Sequence, residues 1–366
     1  MQVPPVHKLL MTDNIQIVKE EAISLLKELI SLPTFSKEEW QTASALSRYL
    51  AQKGVASSRI SNNVFSTNRH FDPAKPTILL NSHHDTVKPN AQYTNDPFNA
   101  IVSDGKLYGL GSNDAGGALI SLLVCFLHFH NKENLKYNLL FAATAEEEIS
   151  GTGGIESILS HLPKIECAIV GEPTGMNLAI AERGLLVIAA VAQGKAGHAA
   201  REEGENAIYK AIKDIAWIET HRFPKTSDLL GQVKMSVTVI ETADKAHNQV
   251  PESCRFVIDV RVNELYTLEE VFEEVQRNVS SILTPRSFRL RSSTIQLDHP
   301  LVKAGLSLGK SCYGSPTTSD KALLPFPALK MGPGDSARSH AADEYIYLHE
   351  IEEGIDLYIQ LLNQLL

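Results

Sequence analysis

Residues 77–85, TILLNSHHD, open on a short apolar run, Thr77 to Asn81, and end on three ionisable side chains. A run of that length, bounded by polar residues, reads as a buried strand. Two later stretches repeat the plan: Asn138 to Thr144 leads into Glu146, Glu147 and Glu148, and Ala168 to Gly171 leads into Glu172. Between them lie segments of helical spacing, from Ala115 to His130 and near Gly154 to Leu162. Strands alternating with helices predict an α/β fold built on a mainly parallel, mixed sheet covered by helices. In such sheets ligands bind beyond the carboxyl ends of the strands, so histidine and carboxylate side chains are expected along one edge.

Working outward, Ile15, Val18, Ala22, Leu25, Leu26, Leu29 and Ile30 recur at helical spacing and Pro33 follows, which predicts an N-terminal amphipathic helix. From Gly184 the pattern changes. A strand over Leu185 to Ala192, a helix over Asn206 to Phe223, strands over Val233 to Ile240 and Arg255 to Arg261, a helix over Leu268 to Leu283 and a strand over Phe288 to Ser292 give the β-α-β-β-α-β order of a ferredoxin-like unit. Thr267 and Glu270 form a capping box for the second helix. The expected organisation is a larger α/β domain in two pieces, 1–183 and 293–366, with a ferredoxin-like α+β domain inserted at 184–292.

The 366 residues are enough for two domains, and 43% hydrophobic with 21% charged residues is the composition of a folded globular protein. A net charge of −9 is the wrong sign for neutralising phosphates, which argues against nucleic-acid or anionic-membrane partners. Cys125, Cys167, Cys254 and Cys312 are far apart, so reduced, mostly buried thiols are expected. The start, MQVPPVHKLLMTD, has no signal-peptide pattern, and no apolar run reads as approaching the 18 residues that a bilayer requires, so a cytoplasmic location is expected.

The chemistry gathers in few places. GLGSNDAGG at 109–117 presents Asp114 at a helix start, and GPGDSARSHAADE at 332–344 carries His340 in a polar, glycine-punctuated loop. Two histidines and several carboxylates without cysteine suit zinc or a related divalent ion. In an extended segment residues i and i+2 face one side, so His83 and Asp85 act together, Asp85 orienting the imidazole while His84 points elsewhere. His128 and His130, two apart on a helix, cannot pinch one ion. Glu146, Glu147 and Glu148 follow one strand and are not distinguished by position.

These motifs, taken in order, resemble the co-catalytic zinc aminoacylase and peptidase family that includes acetylornithine deacetylase, succinyl-diaminopimelate desuccinylase and carboxypeptidase G. The similar elements are His83 to Val87, Gly109 to Gly117, Thr144 to Glu148, Gly171 to Thr174, Gly194 to His198, Asn248 to Pro251, and His340 followed by Glu344. The resemblance implies two divalent ions, zinc with cobalt or manganese as alternatives. His83 and Glu172 would bind one, Glu148 and His340 the other, and Asp114 would bridge both. It makes Glu147 the general base and His198 the donor to the oxyanion, delivered from a partner subunit's insert, hence a homodimer. Asn248 and Arg261 resemble the family's clamp for a substrate carboxylate.

The implied activity is removal of an acyl group from an N-acyl amino acid, with N2-acetylornithine deacetylation in arginine biosynthesis as the leading expectation. Succinyl-diaminopimelate desuccinylase, N-acylcitrulline deacetylase and dipeptidase are alternatives within the family, and a metal-binding protein without catalysis is the alternative outside it. Gly332, Gly334 and Asp335 are candidate substrate contacts. Asp335 lies five residues before His340 and reads either as an acid facing an ornithine ammonium group or as an Asx-turn residue that holds the loop.

Overall fold

The computed structural model describes residues 6–201, 203–242 and 246–366. The chain divides into two compact units, one of Met1–Ile180, Ile295–Tyr313 and Ser319–Leu366, the other of Ala181–Thr294 and Gly314–Thr318.

The first unit is built on a mixed, mostly parallel sheet. Its strands run in the order Ser58–Ile60, Asn63–Thr67, Asn138–Thr144, Thr77–His83, Ile165–Val170, Ala328–Lys330, Leu178–Glu182. The four central strands are parallel, and every residue of Thr77–His83 and Asn138–Thr144 is buried, which is why both read as unbroken apolar runs. Helix Gly117–His130 packs on one face through Leu119, Leu122, Leu123 and Phe126. Ile155 and Ile158 of a short helix, Ile155–Leu159, cover the other. The register sets His83 beside Thr144 and Asn81 beside Val170, so the segments after all three strands leave from one edge.

Three expectations need correction here. The helix expected from Ala115 starts at Gly117, because residues 112–116 form a separate turn with Asp114 in extended conformation (φ −118°, ψ 98°). The helix near 154–162 is only Ile155–Leu159. The segment Ser112–His130 is also long and apolar enough, by length and composition, to cross a membrane, contrary to the sequence reading; 83% of it is buried within the fold, as befits a core helix.

The second unit contains an antiparallel sheet in the order Lys234–Glu241, Ser253–Val262, Gly184–Gln193, Ile282–Pro285, with helices Ala207–Thr220 and Leu268–Asn278. Alternate residues Leu186, Ile188, Ala190 and Ala192 pack with Phe256, Ile258 and Val260 against Leu268, Val271 and Val275. The last strand is Ile282–Pro285 rather than 288–292. Helical spacing of Val279 and Ile282 suggests a longer helix, but the Asp214 carboxylate accepts the N–H groups of Ser280 (3.0 Å) and Ser281 (2.9 Å) and ends it early. Gly314–Thr318 returns to this unit: a Cβ on Gly314 would lie 2.3 Å from Leu229 O, and Thr318 Oγ1 donates to Arg183 O at 2.9 Å.

Candidate active site

His83 closes its strand with 1% of its surface exposed. Its Nδ1 lies 3.0 Å from Asp85 O and 3.4 Å from Asp85 Oδ1, the orientation expected of an i, i+2 pair. Its Nε2 faces Asp114 Oδ1 at 3.2 Å, Glu172 Oε1 at 3.9 Å and Glu147 Oε2 at 4.0 Å. On the other side of Asp114, His340 Nε2 lies 3.7 Å from Asp114 Oδ2 and 3.0 Å from Glu148 Oε2. Asp114 thus turns one oxygen to each histidine. Two triads result, His83–Asp114–Glu172 and Asp114–Glu148–His340, each with its donor atoms within 4.8 Å of one another. Glu147 belongs to neither.

The donor set fits a pair of divalent cations. Each triad offers one imidazole nitrogen and carboxylate oxygens, without thiolate, the borderline-hard set that zinc and its neighbours accept. The electrostatics point the same way. Burial, with Asp114 and Glu148 nearby, pushes the Glu172 carboxyl up to about 8 despite Lys330 and His83. Burial likewise raises Glu147 well above the usual range, and raises Glu148 although His340 opposes it. Burial disfavours charging His83, yet its hydrogen bonds to Asp114 and Asp85 outweigh this and raise it. The cluster holds more buried negative charge than its own cations balance.

Surrounding groups fix these side chains. Asp85 is fully buried and accepts Ser36 Oγ at 2.7 Å, and its two oxygens take the N–H groups of Glu147 (3.1 Å) and Glu148 (3.2 Å). Glu344 accepts the N–H groups of Gly111 (3.1 Å), Asn113 (2.8 Å) and Asp114 (2.9 Å), pinning the turn that carries Asp114. The three glutamates separate by conformation: Glu146 has φ +56° and its carboxylate accepts Gly153 N–H at 3.2 Å, away from both triads. His84 is buried between Thr42 Oγ1 and Asn62 O, 2.9 Å from each. His128 and His130 meet Lys132 and Asn131 instead of each other. Ser36, without any local signal, and Glu344, noted only for following His340, are among the contributors that sequence reading leaves without a role.

Asp335 is exposed and its carboxylate accepts Ala337 N–H at 2.9 Å, capping the short turn Ser336–Arg338. Gly332 and Gly334 allow close backbone approach: a Cβ would meet Glu172 O at 2.4 Å and Asn113 Oδ1 at 2.4 Å respectively. His198, Asn248 and Arg261 lie in the second unit. His198 is exposed on a two-stranded ribbon, Gly197–His198 with Gln249–Val250, and its Nδ1 accepts Ala200 N–H at 3.1 Å, leaving Nε2 as the donor. Asn248 O accepts Ala199 N–H at 3.0 Å beside that ribbon. Arg261 grips Asp259 through Nε (2.7 Å) and Nη2 (3.0 Å).

A family model described as Peptidase family M20/M25/M40 matches residues 79–364. The chain belongs to this family. Among curated relatives, acetylornithine deacetylase of Buchnera aphidicola is 27% identical over 88% of this chain and 92% of its own. Succinyl-diaminopimelate desuccinylase 2 of Ruegeria sp. is 24% identical over 70% of this chain and 69% of its own. The fold matches the M20 metallo-carboxypeptidase of Sulfolobus solfataricus with a TM-score of 0.76 at 18% identity, covering 94% of this chain and 99% of that one. A Bacillus subtilis protein described as a dinuclear metal-binding peptidase of the M20 family gives 0.70 at 15%, covering 95% and 98%. The M20 family confirms the resemblance carried by the motifs and makes the protein a hydrolase of that family.

Proposed function

We propose that this M20 hydrolase is a two-metal amidohydrolase that removes the acyl group of an N-acyl amino acid, with N2-acetylornithine as leading substrate. The observation carrying this reading is Asp114 set between His83 and His340 with Glu147 beside it and outside both triads. His83 and Glu172 would hold one ion, Glu148 and His340 the other, and Asp114 both. Zinc is the leading candidate. Divalent ions held there supply Lewis-acid polarisation of the amide carbonyl and acidify water.

The chain's own residues supply the proton chemistry. Glu147 takes a proton from the attacking water and returns it to the departing amine; burial raises this carboxyl well above the usual carboxylate range, which makes it the stronger proton acceptor once ionised. Asp85 holds the backbone of Glu147 and the ring of His83 in place. His198 Nε2 donates to the developing oxyanion, and the second unit acts as a lid and dimerisation domain in a cytoplasmic homodimer. Arg261 and Asn248 take the substrate carboxylate, the guanidinium fork matching its geometry.

The test is metal analysis of the purified protein together with hydrolysis of acetylornithine, succinyl-diaminopimelate, acetylcitrulline and a dipeptide. About two ions per chain and fastest turnover of acetylornithine support the reading. Preference for the succinylated substrate moves it to the desuccinylase alternative, and bound metal without turnover of any member refutes catalysis of this class.

A further inference from the structure

The three consecutive glutamates sit in a turn whose backbone is held by side chains from elsewhere. Four successive N–H groups, residues 145–148, each find a side-chain acceptor: Asn63 Oδ1 for Ala145 (3.0 Å), Glu39 Oε1 for Glu146 (3.1 Å) and the two Asp85 oxygens for Glu147 and Glu148 (3.1 and 3.2 Å). Backbone donors withdrawn from water must be paired, and in this half-buried turn three remote side chains do it.

Glu39 is the least expected of them. It stands at the N-cap of helix Trp40–Gln52 yet makes no capping bond there, and it is fully buried. Its partners are neutral donors: Lys37 N at 2.6 Å, Asn62 Nδ2 at 2.7 Å and, 107 residues along the chain, Glu146 N. Two of the residues it grips through Oε1 are in left-handed conformation, Lys37 at φ +78° beside it in the chain and Glu146 at φ +56° far from it, a conformation that a non-glycine residue keeps only where its surroundings enforce it. Releasing Glu146 lets that residue relax toward a commoner conformation and swings the following residue.

We propose that Glu39 is a positioning residue that aims Glu147 by holding Glu146 N–H in the left-handed turn. This rests on Glu147 as the base. A buried side chain that neither caps its own helix nor pairs with a cation ties its local turn at Lys37 to the remote turn at Glu146 through one oxygen, and that remote turn carries the proton-transfer group.

The experiment uses the metal-loaded protein and acetylornithine. Glu39→Ala is expected to lower kcat on the order of 10- to 100-fold, the scale of an ångström of misplacement, with KM and bound metal unchanged. Glu39→Gln keeps an accepting oxygen and is expected to restore most of the loss. In a Glu147→Gln background, Glu39→Ala should cost nothing further. Hydrogen exchange at residues 145–148 should quicken in Glu39→Ala while helix Gly117–His130 stays protected, a readout independent of turnover. Exchange unchanged at 145–148, or an undiminished kcat loss in the Glu147→Gln background, overturns the proposal. Full activity of Glu147→Gln overturns the base assignment instead, and the exchange result then decides alone whether Glu39 holds the turn.

Discussion

Replacing Glu147 with Gln should separate activity from stability in opposite directions. The carboxamide has the shape of the carboxylate and the residue's N–H remains on Asp85 Oδ1, so the turn keeps its place. Glu147 is in neither triad, so metal content should stay near wild type. The lost function is the proton transfer, for which a loss of about two to four orders of magnitude in kcat is expected, equivalent to about 3–5 kcal/mol. The stability change follows from the charges that face this residue. Burial, then Glu172, Asp320 and Glu148, all raise its carboxyl against the favourable pull of His83, so a neutral amide relieves repulsion in metal-free protein. Thermal melts in chelator should therefore shift upward while steady-state turnover of the metal-loaded enzyme falls. Turnover within a few-fold of wild type, or loss of bound metal, refutes the assignment of Glu147 as an unligated base.

Asp114→Ala removes the one carboxylate common to both triads, and metal analysis should show loss of both ions; wild-type content would contradict the bridge. Metal-free protein should lose stability as pH rises from about 4.5 to about 8, because Glu172 titrates near 8 when folded, so the folded state binds the extra proton and forfeits that advantage as it leaves. Asp85 and Asp114, both held low, add nothing in that window, and saturating zinc should flatten the curve; melts that rise with pH in chelator would refute the charge balance. Mixing His198→Ala chains with Glu147→Gln chains should restore activity in heterodimers if the donor comes from a partner subunit, and no recovery after verified subunit exchange would refute that arrangement.

The sheet was legible because its central strands are buried on both faces, which turns each into an apolar run ending where the chemistry begins: Thr144 and His83 are neighbours in register, and both runs stop there. Elements with little burial were not legible. Ile282–Pro285 alternates exposed and half-buried residues, so its apolar positions merged with the preceding helical spacing, and the stop signal, Asp214, sits 66 residues upstream of Ser280. The short sheet of Ile101–Ser103, Lys106–Tyr108 and Tyr345–Tyr347 offers only three residues per strand, too few for a period to register.

Within the site, legibility follows where the partner of each group lies in the chain. His83 and Asp85 are two residues apart, so strand geometry alone predicts their contact, and the contact is there. The difference among Glu146, Glu147 and Glu148 depends instead on Glu39, Asn63 and Asp85, which hold successive N–H groups from segments 62 to 107 residues away. No local pattern encodes which of three identical side chains will be turned aside. The backbone decides, through a left-handed Glu146 whose carboxylate folds onto Gly151 and Gly153, where any Cβ would lie within 2.3 Å of a carboxylate oxygen. Those glycines are the sequence trace of the choice: the chain leaves room beside the strand for a glutamate that points away from both triads, while Glu148 joins one of them and Glu147 lies beside His83.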